Sequence, residues 1–456
     1  MPRRLLSLLA VAMVSVSTAA QAPRPAGTVL YEGARLITGD GSPPIERSAF
    51  LVQNGRVARV GRQGEVPAPA GAARVDLTGK TVMPALVDAH SHIGYMKHLT
   101  SGPRNYTREN ILDHMHRFAY FGIAASQAMG SDFGELPFQI RDELSAGKDP
   151  DAARFLTAGR GLAPLEEISP ANMRHAAYVV TTVEGARAGV QELAERSVPL
   201  IKIWVDTRGG TIKTLTPDLY GAILSEAHLR GMRVAVHATA LGDAKNLLRA
   251  GIDVFGHMIS DVDEELLALF KQHPNTAILL ALGAPRRIVS APWLSPPHPL
   301  IRETVSPEQI TRLQDRLAGQ TPQTVEQGRQ AWDRLARGVR LLAAAGVKIG
   351  VGTDGGGQNG DQFVGWTMHA ELENMVVAGM TPAQVLVAAT RTSAEILGLD
   401  DLGMVAQGKS ADFIVLDANP LDDITNTRRI SQVFLRGHEV DRARLRAGWA
   451  TGASSN

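Results

Sequence analysis

Two histidines one residue apart, His90 and His92, end an apolar run that begins at Thr81. In a β-strand, residues i and i+2 face the same side, so both imidazoles can reach one metal ion from the end of that strand. A His-x-His pair also occurs in ordinary strands without a metal. The pair therefore predicts a metal centre only if further ligands lie elsewhere in the chain.

Further metal-competent side chains follow, each within or at the end of its own short apolar run. They are Lys202, His237, His257 and Asp354. Taken singly, each has an ordinary interpretation: a lysine can extend along an apolar surface, a histidine can be hydrogen-bonded in a core, and an aspartate can cap a helix. The recurrence of these residue types along successive strands indicates one shared site instead.

This order of residues resembles the amidohydrolase superfamily of metal-dependent hydrolases. Residues 83–92 are similar to the signature of the family's first strand, and residues 350–354 to that of its eighth strand. Residues 403–417 resemble the family's closing segment, in which the chain returns to a small β domain. The surroundings of His237 and His257 resemble a subgroup of imidazolonepropionase-related proteins and Xaa-Pro dipeptidases.

The resemblance implies a centre of two divalent metal ions, with zinc as the expected metal. The implied ligands of the first ion are His90, His92 and Asp354, and those of the second are His237 and His257. An unmodified ammonium would be repelled by the ions, so Lys202 must be neutral or chemically altered. The resemblance implies that CO₂ carboxylates it to a carbamate that bridges the two ions. Asp354 would also act as general base and acid for a metal-activated hydroxide. The remaining histidines, His114 and His369 among them, are interpreted as structural or solvated.

The kind of catalysis is predicted from what the chain lacks, and the bond that is cleaved is what the resemblance implies. The chain has no cysteine and no Gly-x-Ser-x-Gly motif, which disfavours covalent serine or cysteine catalysis. We expect hydrolysis of the amide bond of a dipeptide or an N-acyl amino acid, with Arg208 beside a substrate carboxylate unless it is an exposed loop arginine. A lactonase or other ester hydrolase on the same metal centre is the alternative. A catalytically silent periplasmic binding protein is a third hypothesis, which the complete ligand set disfavours.

The elements that must position these residues alternate between strand-like and helix-like segments. The candidate strands end near His92, Met129, Gly159, Asp206, Thr239, Met258, Leu282 and Asp354. This pattern predicts an α/β protein with a (β/α)₈ TIM barrel over residues 81–400, whose strand ends converge on one site. An open doubly wound sheet is the weaker alternative, because no glycine-rich phosphate-binding turn follows a strand. Alternating runs in residues 27–80 and 401–445 predict a small discontinuous β-sandwich from both chain ends.

Residues 283–324 form an insertion between the seventh and eighth strands, with four prolines within residues 291–299. Long insertions at this end of a barrel form substrate lids in some enzymes and rigid surface loops in others, and the sequence leaves both open. Trp293 and His298 lie in this segment. Both are expected to contact the substrate, Trp293 through its apolar ring and His298 from the possible lid.

Composition indicates an ordinary globular enzyme acting on a small molecule. The 456 residues are 44% hydrophobic and 20% charged, and 47 basic residues against 46 acidic ones give a formal net charge of +1. This balance provides no electrostatic footprint for nucleic acid or for an anionic membrane. A homo-oligomer is left open.

The first 22 residues are expected to be a secretory signal peptide. Arg3 and Arg4 precede a mostly apolar stretch over residues 5–16, and residues 20–22 offer an A-x-A cleavage site. The alternative is an uncleaved anchor, although the apolar stretch is short for a membrane span. We therefore expect a periplasmic or secreted protein without stable membrane association after cleavage.

Overall fold

The computed structural model describes residues 27–165, 173–207, 209–357 and 362–452. The expected signal peptide, residues 1–22, and Arg208 lie outside these ranges, so both assignments remain predictions. None of the helices within the described ranges is long and apolar enough to cross a membrane.

Short strands carry the labels β1 to β21 in chain order. They are β1 (Val29–Glu32), β2 (Arg35–Leu36), β3 (Ser48–Gln53), β4 (Arg56–Arg62), β5 (Ala73–Asp76), β6 (Thr81–Pro84), β7 (Leu86–Ser91), β8 (Met96–Lys97), β9 (Thr100–Ser101), β10 (Ile123–Ala128), β11 (Arg154–Thr157), β12 (Gly161–Ala163), β13 (Ala177–Val179), β14 (Leu200–Trp204), β15 (Arg233–His237), β16 (Val254–Phe255), β17 (Ala277–Leu279), β18 (Lys348–Gly350), β19 (Phe413–Leu416), β20 (Ile430–Leu435) and β21 (His438–Glu439).

Helices separate most of the central strands. They are α1 (Arg108–Tyr120), α2 (Leu136–Ser145), α3 (Val183–Glu195), α4 (Pro217–Leu229), α5 (Leu241–Ala250), α6 (Glu264–Gln272), α7 (Gly283–Val289), α8 (Pro299–Arg302), α9 (Pro307–Ala318), α10 (Pro322–Ala344), α11 (Trp366–Ala378), α12 (Pro382–Val387), α13 (Ser393–Leu397) and α14 (Arg442–Gly452). The sequence explains several boundaries. The hydroxyl of Thr182 accepts a hydrogen bond from the N–H of Gly185 at the start of α3, at 3.0 Å. Gly251 ends α5 with a φ of 85°, which a residue with a Cβ rarely adopts.

Two small sheets are built from the ends of the chain. One has the strand order β4-β3-β1-β5, and the other has the order β2-β6-β19-β20-β21, so both chain ends contribute to it. An apolar cluster includes residues from both sheets, among them Tyr31, Phe50, Phe413 and Phe434. The rings of Phe413 and Phe434 stack with centroids 4.5 Å apart. Burial of these aromatic rings therefore holds the two chain ends together.

The central strands pair in parallel, as the sequence predicts for an α/β protein. One sheet has the order β11-β10-β7, and a second has the order β13-β12-β14-β15-β16-β17-β18. The third predicted strand, ending near Gly159, is divided between β11 and β12. The strand β13 is an addition that the sequence analysis missed, because three residues are too few to identify as a strand by pattern.

Backbone hydrogen bonds link the two parallel sheets on both sides. The N–H of Gly161 in β12 donates to the carbonyl of Gly130, just after β10, at 2.9 Å. On the other side, the N–H of Ala89 in β7 donates to the carbonyl of Val351, just after β18, at 2.9 Å. The last parallel strand is thereby bonded to the first, and the ends of β7, β16 and β18 come together.

The insertion between β17 and β18 is mostly helical and packed. It contains α7, α8, α9 and the first residues of α10. Trp293 is buried, with its ring centroid 5.4 Å from that of Trp366, and Ile301 is also buried. This packing favours the rigid alternative over a mobile lid.

Candidate metal centre

Three predicted ligands meet at the carboxyl ends of the parallel strands. His90 lies in β7, His257 comes two residues after β16, and Asp354 comes four residues after β18. One ring nitrogen of each histidine and one carboxylate oxygen all lie within 4.8 Å of one another. Imidazole nitrogens and a carboxylate oxygen at this spacing are suited to a divalent ion such as zinc. The arrangement is therefore a candidate His/Asp metal site.

His92 joins this cluster from the same strand end as His90. Its Nε2 atom lies 3.0 Å from Oδ1 of Asp354, and Nε2 of His90 lies 3.6 Å from the same oxygen. The hydroxyl of Ser91, between the two histidines, instead contacts the hydroxyl of Ser126 in β10 at 2.9 Å. The alternation of side chains along the strand thus brings both imidazoles to the carboxylate, as the spacing predicts.

Hydrogen bonds at the outer ring nitrogens orient these imidazoles. Nδ1 of His90 lies 2.9 Å from the carbonyl oxygen of Gly256, and Nδ1 of His92 lies 2.9 Å from Oγ of Ser131. Because a carbonyl only accepts, Nδ1 of a neutral His90 carries the proton and Nε2 presents its lone pair to the cluster. That Nε2 atom is buried and has no hydrogen-bond partner in the described part of the chain. A buried acceptor without a partner is costly unless a ligand binds it.

Lys202 approaches the cluster from β14. Its Nζ atom is buried and, among the residues described, has no hydrogen-bond partner. A Cβ atom at Gly256 would lie 3.1 Å from Nζ and 3.3 Å from Cε1 of His90, so the glycine leaves room for the lysine and the histidine to approach. Burial lowers the pKa of Lys202 to about 7, against the attraction of Asp354, which raises it. Burial therefore favours the uncharged amine of Lys202 over the ammonium form.

His237 ends β15 and lies beside His257, with ring centroids 4.5 Å apart. Its Nε2 atom is 3.0 Å from Oδ2 of Asp206, which comes two residues after β14. In the register of β14 and β15, Trp204 is opposite His237. The sequence marks Asp206 only as the end of a strand, and its contact with His237 depends on this register.

Burial largely determines the charges of the cluster. It is the main cause that lowers the pKa values of His90 and His257 well below 6.5, and neighbouring basic groups add to the effect. Burial alone would raise the pKa of Asp354, but the hydrogen bond to His92 and nearby histidine charges outweigh it and hold this pKa below its usual range. Burial thus favours neutral imidazoles at His90 and His257, and the surroundings favour an ionised carboxylate at Asp354, which are the protonation states that metal binding requires.

The backbone turn that carries Asp354 is fixed by a buried carboxyl. Asp354 has a φ of 54°, in the left-handed region that aspartate tolerates better than most residues. Asp88 accepts hydrogen bonds from the N–H and hydroxyl of Thr353, at 3.1 and 2.6 Å, and from the N–H of His90 at 3.2 Å. It thus ties the strand of one ligand to the turn of another. Sequence analysis missed this role because the His-x-His motif does not show which side chains bond across strands.

A comparison of sequences decides the family. The sequence profile of the amidohydrolase family matches residues 81–440, which include every predicted ligand. The chain belongs to the amidohydrolase family. This amidohydrolase is therefore a hydrolase of carbon–nitrogen bonds, as the sequence predicts, and it belongs to a family whose members generally bind divalent metals.

Relatives match over most of their length. An imidazolonepropionase from Anaeromyxobacter dehalogenans is 27% identical over 417 residues, which cover 86% of this chain and 90% of the relative. An ochratoxinase from Aspergillus niger is 24% identical over 436 residues, covering 87% and 82% of the two chains. The crystal structure of a candidate prolidase from Bifidobacterium longum superimposes with a TM-score of 0.72 at 28% identity, covering 94% of this chain and all of that one.

The two predicted substrate contacts that the structure describes occupy different places in the amidohydrolase. Trp293 packs on Trp366 and lines a small cavity that also contacts Thr353, the residue before the carboxylate ligand. His298 instead caps α8 and lines a separate cleft of about 450 Å³ with Arg428. The structure therefore places Trp293 at a small cavity that reaches Thr353 and His298 at a separate cleft, while both rings pack against Trp366.

Proposed function

We propose that this amidohydrolase cleaves the amide bond of a dipeptide or an N-acyl amino acid at a centre of two divalent metal ions. The observation that carries the proposal is the cluster of His90, His257 and Asp354 beside the buried amine of Lys202. Nε2 of His90 and Nζ of Lys202 lack partners within the described residues, so the site fits groups that bind them. Zinc is the proposed metal, because it binds imidazole and carboxylate ligands readily.

Carboxylation of Lys202 would join the two halves of the centre. The neutral amine attacks CO₂, a bond forms between Nζ and the carbon, and one proton leaves to solvent, which produces an anionic carbamate. The negative charge of the carbamate would attract divalent ions, whereas the ammonium form would repel them. The proposed ligands are His90, His92 and Asp354 for the first ion and His237 and His257 for the second, with the carbamate between them.

The protein side chains then move and hold the protons. The bound ions would supply a water of lowered pKa and polarise the scissile carbonyl. Asp354 would accept the proton of the attacking water and return it to the leaving nitrogen. Nε2 of Gln362 donates to Oδ2 of Asp354 at 2.9 Å and orients this carboxylate. Loss of Asp354 should therefore reduce turnover more than metal content.

We propose that the parallel strands close into a (β/α)₈ TIM barrel over residues 81–400. The hydrogen bonds between β7 and the segment after β18 support this closure. The two small sheets would form the β-sandwich predicted for residues 27–80 and 401–445, since they share one aromatic cluster. They also include β6 (Thr81–Pro84), which pairs with β2 and β19, so the sandwich extends past the predicted boundary at residue 80. In such a barrel the active site lies at the carboxyl ends of the strands, which is where the ligand cluster lies.

The proposed substrate is a small amide with a free carboxylate, and the proposed location is outside the cytoplasm. The likeness to a candidate prolidase at 28% identity supports a dipeptide-like substrate with a free carboxylate. Arg208 is proposed to pair with that carboxylate, and Trp293 to contact an apolar part of the substrate. Export by the signal peptide of residues 1–22 would place the enzyme in the periplasm or outside the cell.

One assay series tests the proposal. The chain is expressed with its leader, and the mature protein is analysed for metal and assayed on N-acyl amino acids and dipeptides as free acids, on their methyl esters and on simple lactones. We expect two metal equivalents per chain and a preference of about 10–100-fold for the free acids, because a charge-assisted hydrogen bond contributes about 1.5–3 kcal/mol. Arg208→Ala should lose that preference.

Three outcomes would contradict parts of this proposal. Equal cleavage of acids and amide-bearing esters by the wild-type protein would remove the role of Arg208. Reaction with lactones and simple esters alone would replace the amide hydrolase by a lactonase. Protein that binds no metal and hydrolyses nothing would favour the binding-protein hypothesis.

A further inference from the structure

The contact between Asp206 and His237 assigns the proton of a predicted ligand. Nε2 of His237 lies 3.0 Å from Oδ2 of Asp206, and both side chains are largely buried. An ionised carboxylate accepts hydrogen bonds and cannot donate them. A neutral His237 must therefore carry its proton on Nε2, which leaves the lone pair on Nδ1.

His90 carries its proton on the other ring nitrogen, Nδ1. There the carbonyl of Gly256 accepts from Nδ1, so Nε2 is the nitrogen that faces the cluster. Two histidines of one centre are thus held in different tautomers by different acceptors. This matters because a metal ion binds only the nitrogen that carries no proton.

The strand ends make the Asp206 contact rigid. The N–H of Val205 donates to the backbone carbonyl of His237 at 2.9 Å, so the backbones carrying the two side chains are bonded one residue before the carboxylate. The ring of His237 also packs at 70° to the ring of His257, with centroids 4.5 Å apart. Rotation of the His237 ring would break the bond to Asp206 and disturb this packing.

We propose that Asp206 is a positioning residue that presents Nδ1 of His237 to the second metal ion. The carboxylate fixes the tautomer and the ring orientation, and its negative charge makes the imidazole a stronger ligand. The inference rests on the proposed metal function of His237.

The test uses Asp206→Ala and Asp206→Asn, with Asp149→Ala as a matched control. Asp149 accepts from Nε2 of His116 at 2.7 Å, in a pair of similar burial whose residues are not among the predicted ligands. Its loss should therefore cost a comparable contact without changing metal binding. The side-chain amide oxygen that Asp206→Asn introduces can still accept from the Nε2–H group, so this variant keeps the tautomer but loses the charge.

The first measurement is made on metal-free protein by ¹⁵N spectroscopy of the imidazole rings. We expect the Nε2–H form of His237 in the wild type and in Asp206→Asn, and a mixture of tautomers in Asp206→Ala. A His237 ring that keeps the Nε2–H form in Asp206→Ala would overturn the proposal. This readout does not depend on activity or on bound metal.

The second measurement is zinc affinity by competition with a chelator. Asp206→Ala should bind the second equivalent about 10–100-fold more weakly, Asp206→Asn less so, and the first equivalent and the Asp149→Ala control should be unchanged. Unchanged affinity for the second equivalent in Asp206→Ala, or an equal loss in the control, would contradict the assignment.

If the wild type bound no zinc, the proposed function would fail, while the tautomer measurement would still decide the role of Asp206. If Asp206→Ala does not fold, the affinity loss of Asp206→Asn alone decides, and its absence overturns the proposal.

Discussion

Two groups of buried histidines differ in what their ring nitrogens contact. At the strand ends, His90 bonds the carbonyl of Gly256 through Nδ1, while its buried Nε2 has no partner in the described ranges. In α11, His369 is equally buried but uses both nitrogens: Nδ1 lies 3.0 Å from the hydroxyl of Thr427, and Nε2 lies 3.0 Å from the carbonyl of Phe121. His90 therefore has a nitrogen that a ligand could bind, whereas both ring nitrogens of His369 are hydrogen-bonded within the protein.

His114 in α1 belongs with the second group. Its Nδ1 accepts from the N–H of Gly94 at 3.0 Å, and its Nε2 lies 2.8 Å from the carbonyl of Met96. Burial lowers the pKa of His114 to about 4 and that of His369 to about 3, in the same direction as for His90. A lowered pKa therefore does not distinguish a ligand from a structural histidine in this protein. The hydrogen bonds make the distinction.

The largest expected effect comes from exchanging a histidine of each group for leucine. The imidazole of His257 makes no hydrogen bond within the described residues, so His257→Leu should leave the stability of the metal-free protein within about 1 kcal/mol of wild type. Loss of this proposed ligand should lower kcat/KM by at least about 10³-fold, or roughly 4 kcal/mol, because the proposed ions would supply both the nucleophile and carbonyl polarisation. Metal analysis and steady-state kinetics measure this change.

His369→Leu is the counterpart of that substitution. It removes the donor to the Phe121 carbonyl and should lower the free energy of unfolding by about 1–3 kcal/mol, while metal content stays at the wild-type value. Denaturant unfolding of the metal-free proteins makes the comparison. Equal effects of the two substitutions on metal content would mean that the comparison is wrong.

Lys202→Met tests whether the buried amine of Lys202 belongs to the metal site, like His90, or is structural, like His369. Methionine fills similar space but can be neither charged nor carboxylated, so the second metal equivalent should be lost. The folded pKa of Lys202 is lowered from 10.5 to about 7, so the unfolded chain binds more protons between these values and wild-type stability rises with pH there. In metal-free, CO₂-free buffer the variant should therefore be more stable than wild type by about 4 kcal/mol at pH 7.

That stability gain should shrink as the pH rises toward 10.5, where the lysine is neutral in both states. Unfolding curves at about pH 7 and about pH 10 provide the measurement. A variant that is less stable than wild type at neutral pH, or that retains two metal equivalents, would place Lys202 among the structural residues.

Two buried carboxyl groups also differ in whether they belong to the ligand cluster, and the effect expected from exchanging one of them is smaller. The pKa of Asp354 is held low by the cluster, whereas burial raises the pKa of Glu371 from 4.5 to about 7. Oε1 of Glu371 accepts from the N–H of Leu282 at 2.7 Å, a bond that a glutamine could keep. Because the folded state retains the proton longer than the unfolded state, wild-type stability should fall between about pH 4.5 and 7.

Glu371→Gln should remove this loss. The variant should match wild type at about pH 4 and exceed it by about 3 kcal/mol at about pH 8, with metal content unchanged. Glu308→Gln, at an exposed position of α9, is the control for exchanging a carboxyl for an amide. A drop in metal content of Glu371→Gln would show that this carboxyl supports the metal site after all.

Much of the architecture could be predicted from local pattern. Short apolar runs located the parallel strands, and the apolar side chains of α3 (Val183–Glu195) and α4 (Pro217–Leu229) recur at the 3.6-residue spacing of a helix. The family resemblance of residues 83–92 and 350–354 was confirmed by the family match. The helical packing of the insertion was not predicted, since its prolines are compatible with both a loop and the first turns of helices.

The sequence by itself determined which residue types stand at the strand ends, because side-chain alternation along a strand is a local property of the backbone. Tertiary structure alone decided which atoms they meet. The bond from His237 to Asp206, the hold of Asp88 on Thr353, and the unpartnered Nε2 of His90 within the described residues all depend on how separate strands are joined. Such contacts depend on strand register and on side-chain direction, which one segment of sequence does not fix. The residue types therefore indicate the kind of chemistry. The fold decides which ring nitrogens of the histidines are hydrogen-bonded to the protein and which are left for a ligand.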